Sequence, residues 1–311
     1  MSKYAVRQLR RIGAKALGVL GRKGSRSNVE YGASYFGEGR DPSGDRQGQS
    51  GYASYDRISS NADIAAYMLW RNLNVKNVLE VGCARGFLVE ALRDLGIEAV
   101  GCDISDYAIA HASPGARDYL QVENLLEGLS YPDNSFDLVC ALEVLEHLEP
   151  KDIASVLREL RRVCRGVLYA SIPSFGQNVA GHDGHYEGKV KPERVAYYNS
   201  LGSSFDGPIP FDDLARDTYG LPVEGHLTIA SFNWWTNQFN EAGFHRLVDV
   251  ERAFYSDISP VGLEKFWNIY LFGVDAMDEN LIYRRSPEKS LPELGLCHPL
   301  FEHGTSLAQS E

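Results

Sequence analysis

Two acids and two glycines set the chemistry this chain can do. Glu80 and Asp103 stand twenty-three positions apart, in Val78-Leu79-Glu80-Val81-Gly82-Cys83-Ala84-Arg85-Gly86-Phe87-Leu88 and Ala99-Val100-Gly101-Cys102-Asp103. The apolar run ahead of each acid predicts a buried strand with the carboxylate at its end. Gly82 and Gly86 let the backbone turn sharply and pass close to a ligand with no Cβ in the way. A carboxylate at the tip of the next strand is spaced to accept hydrogen bonds from a ribose diol. The pattern is that of a nucleoside site. A dinucleotide is disfavoured, because Gly82-Cys83-Ala84-Arg85-Gly86 lacks the middle glycine of G-x-G-x-x-G. Glu80, two residues before the turn, suits an ammonium group rather than a diphosphate.

Glu80-Val81-Gly82-Cys83-Ala84-Arg85-Gly86 resembles the first motif, E/D-x-G-x-x-x-G, of the class I S-adenosylmethionine (AdoMet) methyltransferases. The resemblance continues in order. Asp103 matches the family's ribose-binding acid. The run from Leu129-Ser130-Tyr131-Pro132 to Phe136-Asp137-Leu138-Val139 looks like the approach to the family's fourth strand. Ala141-Leu142-Glu143-Val144-Leu145-Glu146-His147-Leu148 looks like the segment after it. The likeness covers about 65–175 and the Trp234–Gly243 helix, and implies AdoMet as cofactor. It implies contacts from Glu80, Gly82, Cys83, Ala84, Gly86, Phe87, Asp103, Ile104, Leu142 and Glu143. The adenine slot falls on Asn124 and Leu125, or on Glu123 if the alignment slips by one; an amide oxygen can accept from the exocyclic amine. In methyltransferases of similar layout the segment before the first core helix lids the cofactor. Tyr52, Tyr55 and Arg57 then either touch its methionine end or pack the lid onto the body.

AdoMet carries an activated methyl, so such an enzyme must align donor and acceptor and take a proton from the acceptor. A hydroxyl acceptor needs a general base or a metal. His147, just past the fourth strand, His226, ahead of the Trp-bearing helix, and His185, in an insertion, are the candidate bases. For each, a structural role is the competing reading. Glu143 and Glu146 either face cofactor or acceptor or form the first turn of a helix. His182, Asp183, His185 and Glu187 fit no fixed ligand template and read as a polar loop, so no metal is expected there.

These groups need a scaffold. Alternation predicts helix 58–72, strand 77–82, helix 86–95, strand 97–103, helix 105–112 and strands 117–122 and 136–141. Helix 150–164, strand 166–172, helix 231–243 and strands near 244–255 and 265–274 follow, the last antiparallel. The fold expected is α/β: a Rossmann-like seven-stranded, mostly parallel sheet with helices on both faces. An insertion follows the fifth strand, and a segment precedes the first helix. The divisions are a basic amphipathic segment over 1–28, a lid or linker over 29–57, the catalytic domain over 58–274 and a tail over 275–311. The acceptor-recognition insertion within the domain spans 174–226.

The 311 residues are 44% hydrophobic, which suits a globular protein with a sizeable core. Five scattered cysteines without a C-x-x-C pair point to a reduced, cytoplasmic setting and no structural zinc. Residues 1–28 hold eight basic side chains and no acid, leaving 23 basic and 42 acidic residues elsewhere, a net of −19 on the body. So acidic a body argues against a nucleic-acid partner. Val6, Leu9, Ile12, Ala16, Leu17 and Leu20 oppose the basic residues on a helix. That segment is a solvated arm, a peripheral membrane contact through residues 1–20, or a targeting sequence. The expected activity is methylation of a small-molecule or glycan acceptor at a hydroxyl. A quinone or lipid-linked acceptor is the main rival; a nicotinamide enzyme and a non-catalytic binder are distant ones. Oligomeric state leaves no mark in the sequence.

Overall fold

The computed structural model describes residues 31–33, 35, 36, 55–178, 181–184, 186, 188–217, 220–259 and 268–286. Residues 1–20, Tyr52, His185 and Glu187 lie outside the described residues, with whatever was expected of them.

Five strands lie parallel: β1 (Asn77–Val81), β2 (Glu98–Asp103), β3 (Leu120–Val122), β4 (Phe136–Leu142) and β5 (Cys164–Ser171). A two-stranded pair, β6 (Ser174–Phe175) with β7 (Ala230–Ser231), stands apart from them. The main sheet is completed by β8 (Phe244–Arg246) and β9 (Ile269–Val274), and β9 runs antiparallel to both its neighbours. Its order is β3-β2-β1-β4-β5-β9-β8, the seven-stranded, mostly parallel Rossmann-like arrangement expected. The chain leaves β1 in one direction for β2 and β3, then returns to β4 on its other side. That reversal opens a crevice above the carboxyl ends of β1 and β4.

Period-two alternation within β1 sends Val78 to one face and Leu79 and Val81 to the other. The first face packs on α1 (Ala62–Asn72), α2 (Phe87–Asp94) and α7 (Val248–Ile258). The second packs on α4 (Pro150–Val163) and α6 (Phe232–Glu241). In α4, Ile153, Val156, Leu157, Leu160 and Val163 form the buried stripe. In α6, Ser231 caps the N-terminus by accepting from Trp234 N, and Trp235 and Phe239, one helical turn apart, are fully buried. At the opposite edge from the crevice, the buried Asp137 accepts from Lys76 N, Asn77 N and Arg165 Nε, tying β1, β4 and β5 together.

Several expected elements come out shorter. The helix expected over 58–72 begins at Ala62, because Asn61 before it is left-handed. Residues 117–119 form a 3-10 turn, so the strand expected over 117–122 keeps only its last three residues. The helix expected over 105–112 is α3 (Asp106–Ala110). The strand expected near 244–255 stops at Arg246 and gives way to α7. Its helical period is there in Glu251, Phe254, Tyr255 and Ile258, all buried, but a charged residue on the buried face hides it from a hydrophobicity count. Glu251 can lie there because Arg246 grips both its oxygens at 2.9 Å.

The 174–226 insertion is more than loop. It holds α5 (Pro192–Leu201) and a small core of Phe175, Tyr186, Val190, Tyr198, Ile209 and Leu214, closed by Ile229. In the tail, Tyr283 and Arg285 donate from their backbones to Asn72 and Arg71, and Arg284 pairs with the buried Asp257 at 2.8 Å. Among the described residues no helix is long and apolar enough to cross a membrane.

Arg246→Ala leaves the Glu251 carboxylate buried without its partner, and stability should fall by about 3–5 kcal/mol. Urea denaturation measures this, and an unchanged midpoint would show that the pair holds nothing together.

Candidate active site

β1 delivers Glu80 to the crevice almost wholly buried. One of its oxygens takes the Val89 N–H in the first turn of α2, and Oε2 has no partner among the described residues. Burial, reinforced by the charge of Asp103, raises this carboxyl well above its usual range. The turn that follows needs its glycines. Gly82 and Gly86 have φ of +67° and +76°, and a Cβ on Gly82 would lie 2.3 Å from Val144 Cγ2. Ala84 between them is left-handed at φ +46° with no such licence. Asp103, at the end of β2, holds that strained peptide, accepting from Ala84 N at 2.8 Å and from Ser105 N at 2.7 Å. The Ile104 amide bonds to it as well, which leaves part of the carboxylate's accepting capacity for a ligand.

Beside Asp103 the tips of β2 and β3 expose two large apolar side chains, Ile104 at 51% and Val122 at 52%. Val122 is the register partner of Asp103 on the neighbouring strand. Asn124 sits just past β3, where its side-chain oxygen accepts from Leu126 N and caps the Leu125–Glu127 turn. Glu123 is engaged with Ser130 and Gln121. Cys83 is buried beneath the turn and is a packing residue.

Over the crevice lies an aromatic cover. Phe36 is buried against Ala84, with Tyr35, Tyr55 and Tyr107 packed around it. Tyr55 also meets Phe87, at 5.5 Å between ring centres. Tyr31 bridges the two halves of the site: its backbone oxygen accepts from Ser105 Oγ, and its ring stands edge-on to His147 at 5.8 Å. Burial, with Asp103 and Glu146 nearby, raises its phenol strongly. Arg57 is paired with Asp63 at 2.6 Å and Asp94 at 2.7 Å, anchoring the base of the cover.

The second half of the site grows from the carboxyl end of β4. Leu142 is half-buried there, and Glu143 follows in a left-handed conformation, φ +54°, accepting from Ser171 Oγ on β5. Leu145–His147 is a 3-10 turn, not the start of an α-helix, and it aims Glu146 inward. Glu146 is fully buried, and among the described residues neither carboxylate oxygen has a hydrogen-bond partner. Burial first, then the charge of Glu143, pushes its carboxyl well up. His147 and His226, 79 positions apart in sequence, meet edge to face at 4.9 Å between ring centres. Burial holds the His147 imidazolium down to about 4 and that of His226 well below its ordinary value, so both rings are neutral at pH 7. Glu146, His147 and His226 each offer one ligand-type atom, all within 4.8 Å of one another. Lys189 and Glu224, from the insertion, form an ion pair alongside. Sequence had proposed the two histidines separately; only spacing through the fold shows that they meet Glu146. His182, by contrast, stacks on Tyr255 at 3.7 Å, and Asp183 accepts from Gln177.

Residues 79–167, containing the glycine turn, Asp103 and the β4 segment, match a methyltransferase domain family. A probable S-adenosylmethionine-dependent methyltransferase of Mycobacterium tuberculosis is 35% identical over 102 residues, 32% of this chain and 36% of the relative. Over residues 79–167 the chain carries a methyltransferase domain. A ubiquinone biosynthesis O-methyltransferase of Pseudomonas aeruginosa is 36% identical over 98 residues, 29% of this chain and 40% of that protein. A probable methyltransferase of Aspergillus luteorubrus is 30% identical over 115 residues, 32% of this chain and 40% of that protein. The chain thus matches about two fifths of the length of these curated relatives. A solved SAM-dependent methyltransferase from Methanosarcina mazei aligns over 67% of this chain and 95% of its own at 21% identity, with a TM-score of 0.44.

The methyltransferase domain fits its cofactor on this chain's own evidence. The orphaned, buried Glu80 oxygen and the Asp103 carboxylate stand on adjacent strands, with a Cβ-free bend above them. Gly82→Ala combines a positive φ with a clash at Val144 and should cost about 1–3 kcal/mol. A lowered thermal midpoint checks it; an unaltered one would mean the bend tolerates a side chain.

Proposed function

We propose that the protein transfers the methyl group of AdoMet to a hydroxyl oxygen of a small-molecule or glycan acceptor held between the crevice and the 174–226 insertion. The observation that carries this reading is the buried polar group beyond the end of β4, Glu146, His147 and His226, with Glu143 at its exposed rim. An amine or a thiol loses its proton far more readily than a hydroxyl does, so the call on such a group is greatest for a hydroxyl. A hydroxyl must be activated. The O-methyltransferase named among the relatives supports the same choice.

On the cofactor side, Asp103 accepts from the ribose hydroxyls, and Ile104 and Val122 flank the adenine, with Asn124 and Leu125 at its rim. Glu80 meets the methionine ammonium through its unpartnered oxygen. The Gly82–Gly86 turn, including Cys83 and Ala84, passes beneath the cofactor. Phe87, Leu142, Glu143 and Tyr55 wall the methionine end, and the Tyr31–Phe36 cover excludes water. The cofactor supplies the sulfonium methyl. The residues of the chain hold the acceptor oxygen in line with it, and the neutral His147 and His226 present lone pairs to the acceptor's proton. His185 is a third candidate on sequence grounds alone. A quinone or lipid-linked acceptor is the second reading, supported by the ubiquinone-pathway relative and by the basic amphipathic segment.

Thermal shift tests the cofactor half. AdoMet at 100 times its dissociation constant adds about 2.7 kcal/mol to native stability, and Asp103→Ala should lose that shift. A variant that kept the full response would overturn the ribose assignment. Labelled methyl donor offered with hydroxylated metabolites, with simple glycans and with a catechol-type quinone precursor tests the acceptor half. Label in an ether is expected; label only in amines or thiols would refute the oxygen assignment.

A further inference from the structure

We propose that Glu146, His147 and His226 bind a divalent cation of the Zn²⁺ or Mn²⁺ kind, which takes the acceptor's hydroxyl oxygen as a further ligand. The proposal rests on the hydroxyl reading above and names how that oxygen is activated.

Four observations converge. First, the donors are of the right kind and already gathered: two imidazoles and one carboxylate, with ligand atoms within 4.8 Å of one another. Metal–ligand bonds of about 2.0–2.2 Å place neighbouring ligand atoms roughly 3–4 Å apart, so closure needs a movement of about one ångström. Second, Glu146 is completely buried, and among the described residues neither of its oxygens has a hydrogen-bond partner. His226 Nε2 stands 3.8 Å from Glu146 Oε1, too far for a hydrogen bond and close enough to share an ion. An isolated buried carboxylate costs several kcal/mol, and a cation between these groups removes that cost.

Third, the site is braced from outside as ligand sets are. His147 Nδ1 faces Gly225 O at 3.3 Å; a carbonyl only accepts, so Nδ1 carries the proton and Nε2 keeps its lone pair. The Glu146 carbonyl accepts from Leu227 N at 2.7 Å and Thr228 N at 2.9 Å, and Thr228 Oγ1 donates to Leu148 O at 2.6 Å. These bonds fasten the end of the insertion, which carries His226, to the turn that carries Glu146 and His147. Fourth, one side remains open. Glu143 reaches solvent there with its other oxygen held by Ser171, and Tyr31 covers the group from the cofactor side. Two histidines and a carboxylate with open positions is an arrangement that divalent zinc, manganese and iron accept.

With the imidazole lone pairs of His147 and His226 on the cation, neither ring takes the proton, and Lewis-acid help replaces the histidine base of the simpler reading. The cation polarises the acceptor's O–H, the proton leaves to solvent, and the oxygen forms a bond to the methyl carbon. The carbon–sulfur bond breaks with its electron pair remaining on sulfur. An alcohol and a sulfonium become an ether, a thioether and one proton, and no redox partner is needed.

The test uses the full chain, stripped with chelator and freed of any affinity tag. Calorimetry with Zn²⁺ alone, and paramagnetic resonance with Mn²⁺ alone, should show one site per chain. Glu146→Gln and His226→Ala should each weaken that site at least about tenfold. The AdoMet thermal shift should survive in both variants, which shows that they fold and keep the cofactor half. No stoichiometric binding of either ion, or binding equally tight in both variants, overturns the site. The two proposals fail separately. Chelator-insensitive methylation of a hydroxyl refutes the cation and leaves the oxygen acceptor standing. One-site cation binding with label found only in amines does the reverse.

Discussion

Carboxylates taken out of water at the ends of parallel strands are the constraint on which this structure turns. Glu80, Asp103 and Glu146 stand at or just beyond the carboxyl ends of β1, β2 and β4, where the strand order reverses. A parallel sheet covered on both faces leaves that edge as the place where polar groups can collect, so the acids meet there. Each is answered differently. Asp103 is met by the backbone amides of Ala84, Ser105 and Ile104, Glu80 is half satisfied by the start of α2, and Glu146 has no donor among the described residues. The gradient of satisfaction runs from the cofactor half of the crevice to the acceptor half.

Strain follows the same line. Ala84 and Glu143 are non-glycine residues at positive φ, and both lie on the turns that begin where β1 and β4 end. Backbone in such a state persists only where surrounding contacts enforce it. Here the Asp103 carboxylate fixes Ala84, while Ser171 and its carbonyl fix Glu143. The two turns also interlock, since the space a Cβ on Gly82 would take is filled by Val144. The halves of the site are therefore one rigid unit, with the aromatic cover laid across both.

The insertion supplies what the common core does not. Its small apolar cluster lets it stand as a packed lobe, and its last residues return His226, Glu224 and Lys189 to the β4 turn. Loops carried on a rigid scaffold are where binding residues are disproportionately found. The family match ends at residue 167, and the insertion lies beyond it.

Residues close in sequence carry the expectation of a cofactor half. The turn after Glu80, the spacing to Asp103 and the strand–helix alternation are local patterns, each fixed by φ requirements or by period, so they could be read in one dimension. The α7 helix could not, because its buried face includes Glu251, and what makes a buried glutamate tolerable is Arg246, on a different element. The acceptor half failed to show itself for the same reason. His147 and His226 each looked like an ordinary histidine, and Glu146 like the first turn of a helix. Contact between them depends on a 3-10 turn after β4 and on the return path of a fifty-residue excursion. Local backbone preference is written in neighbouring residues; desolvation and convergence arise only once distant segments close on one another.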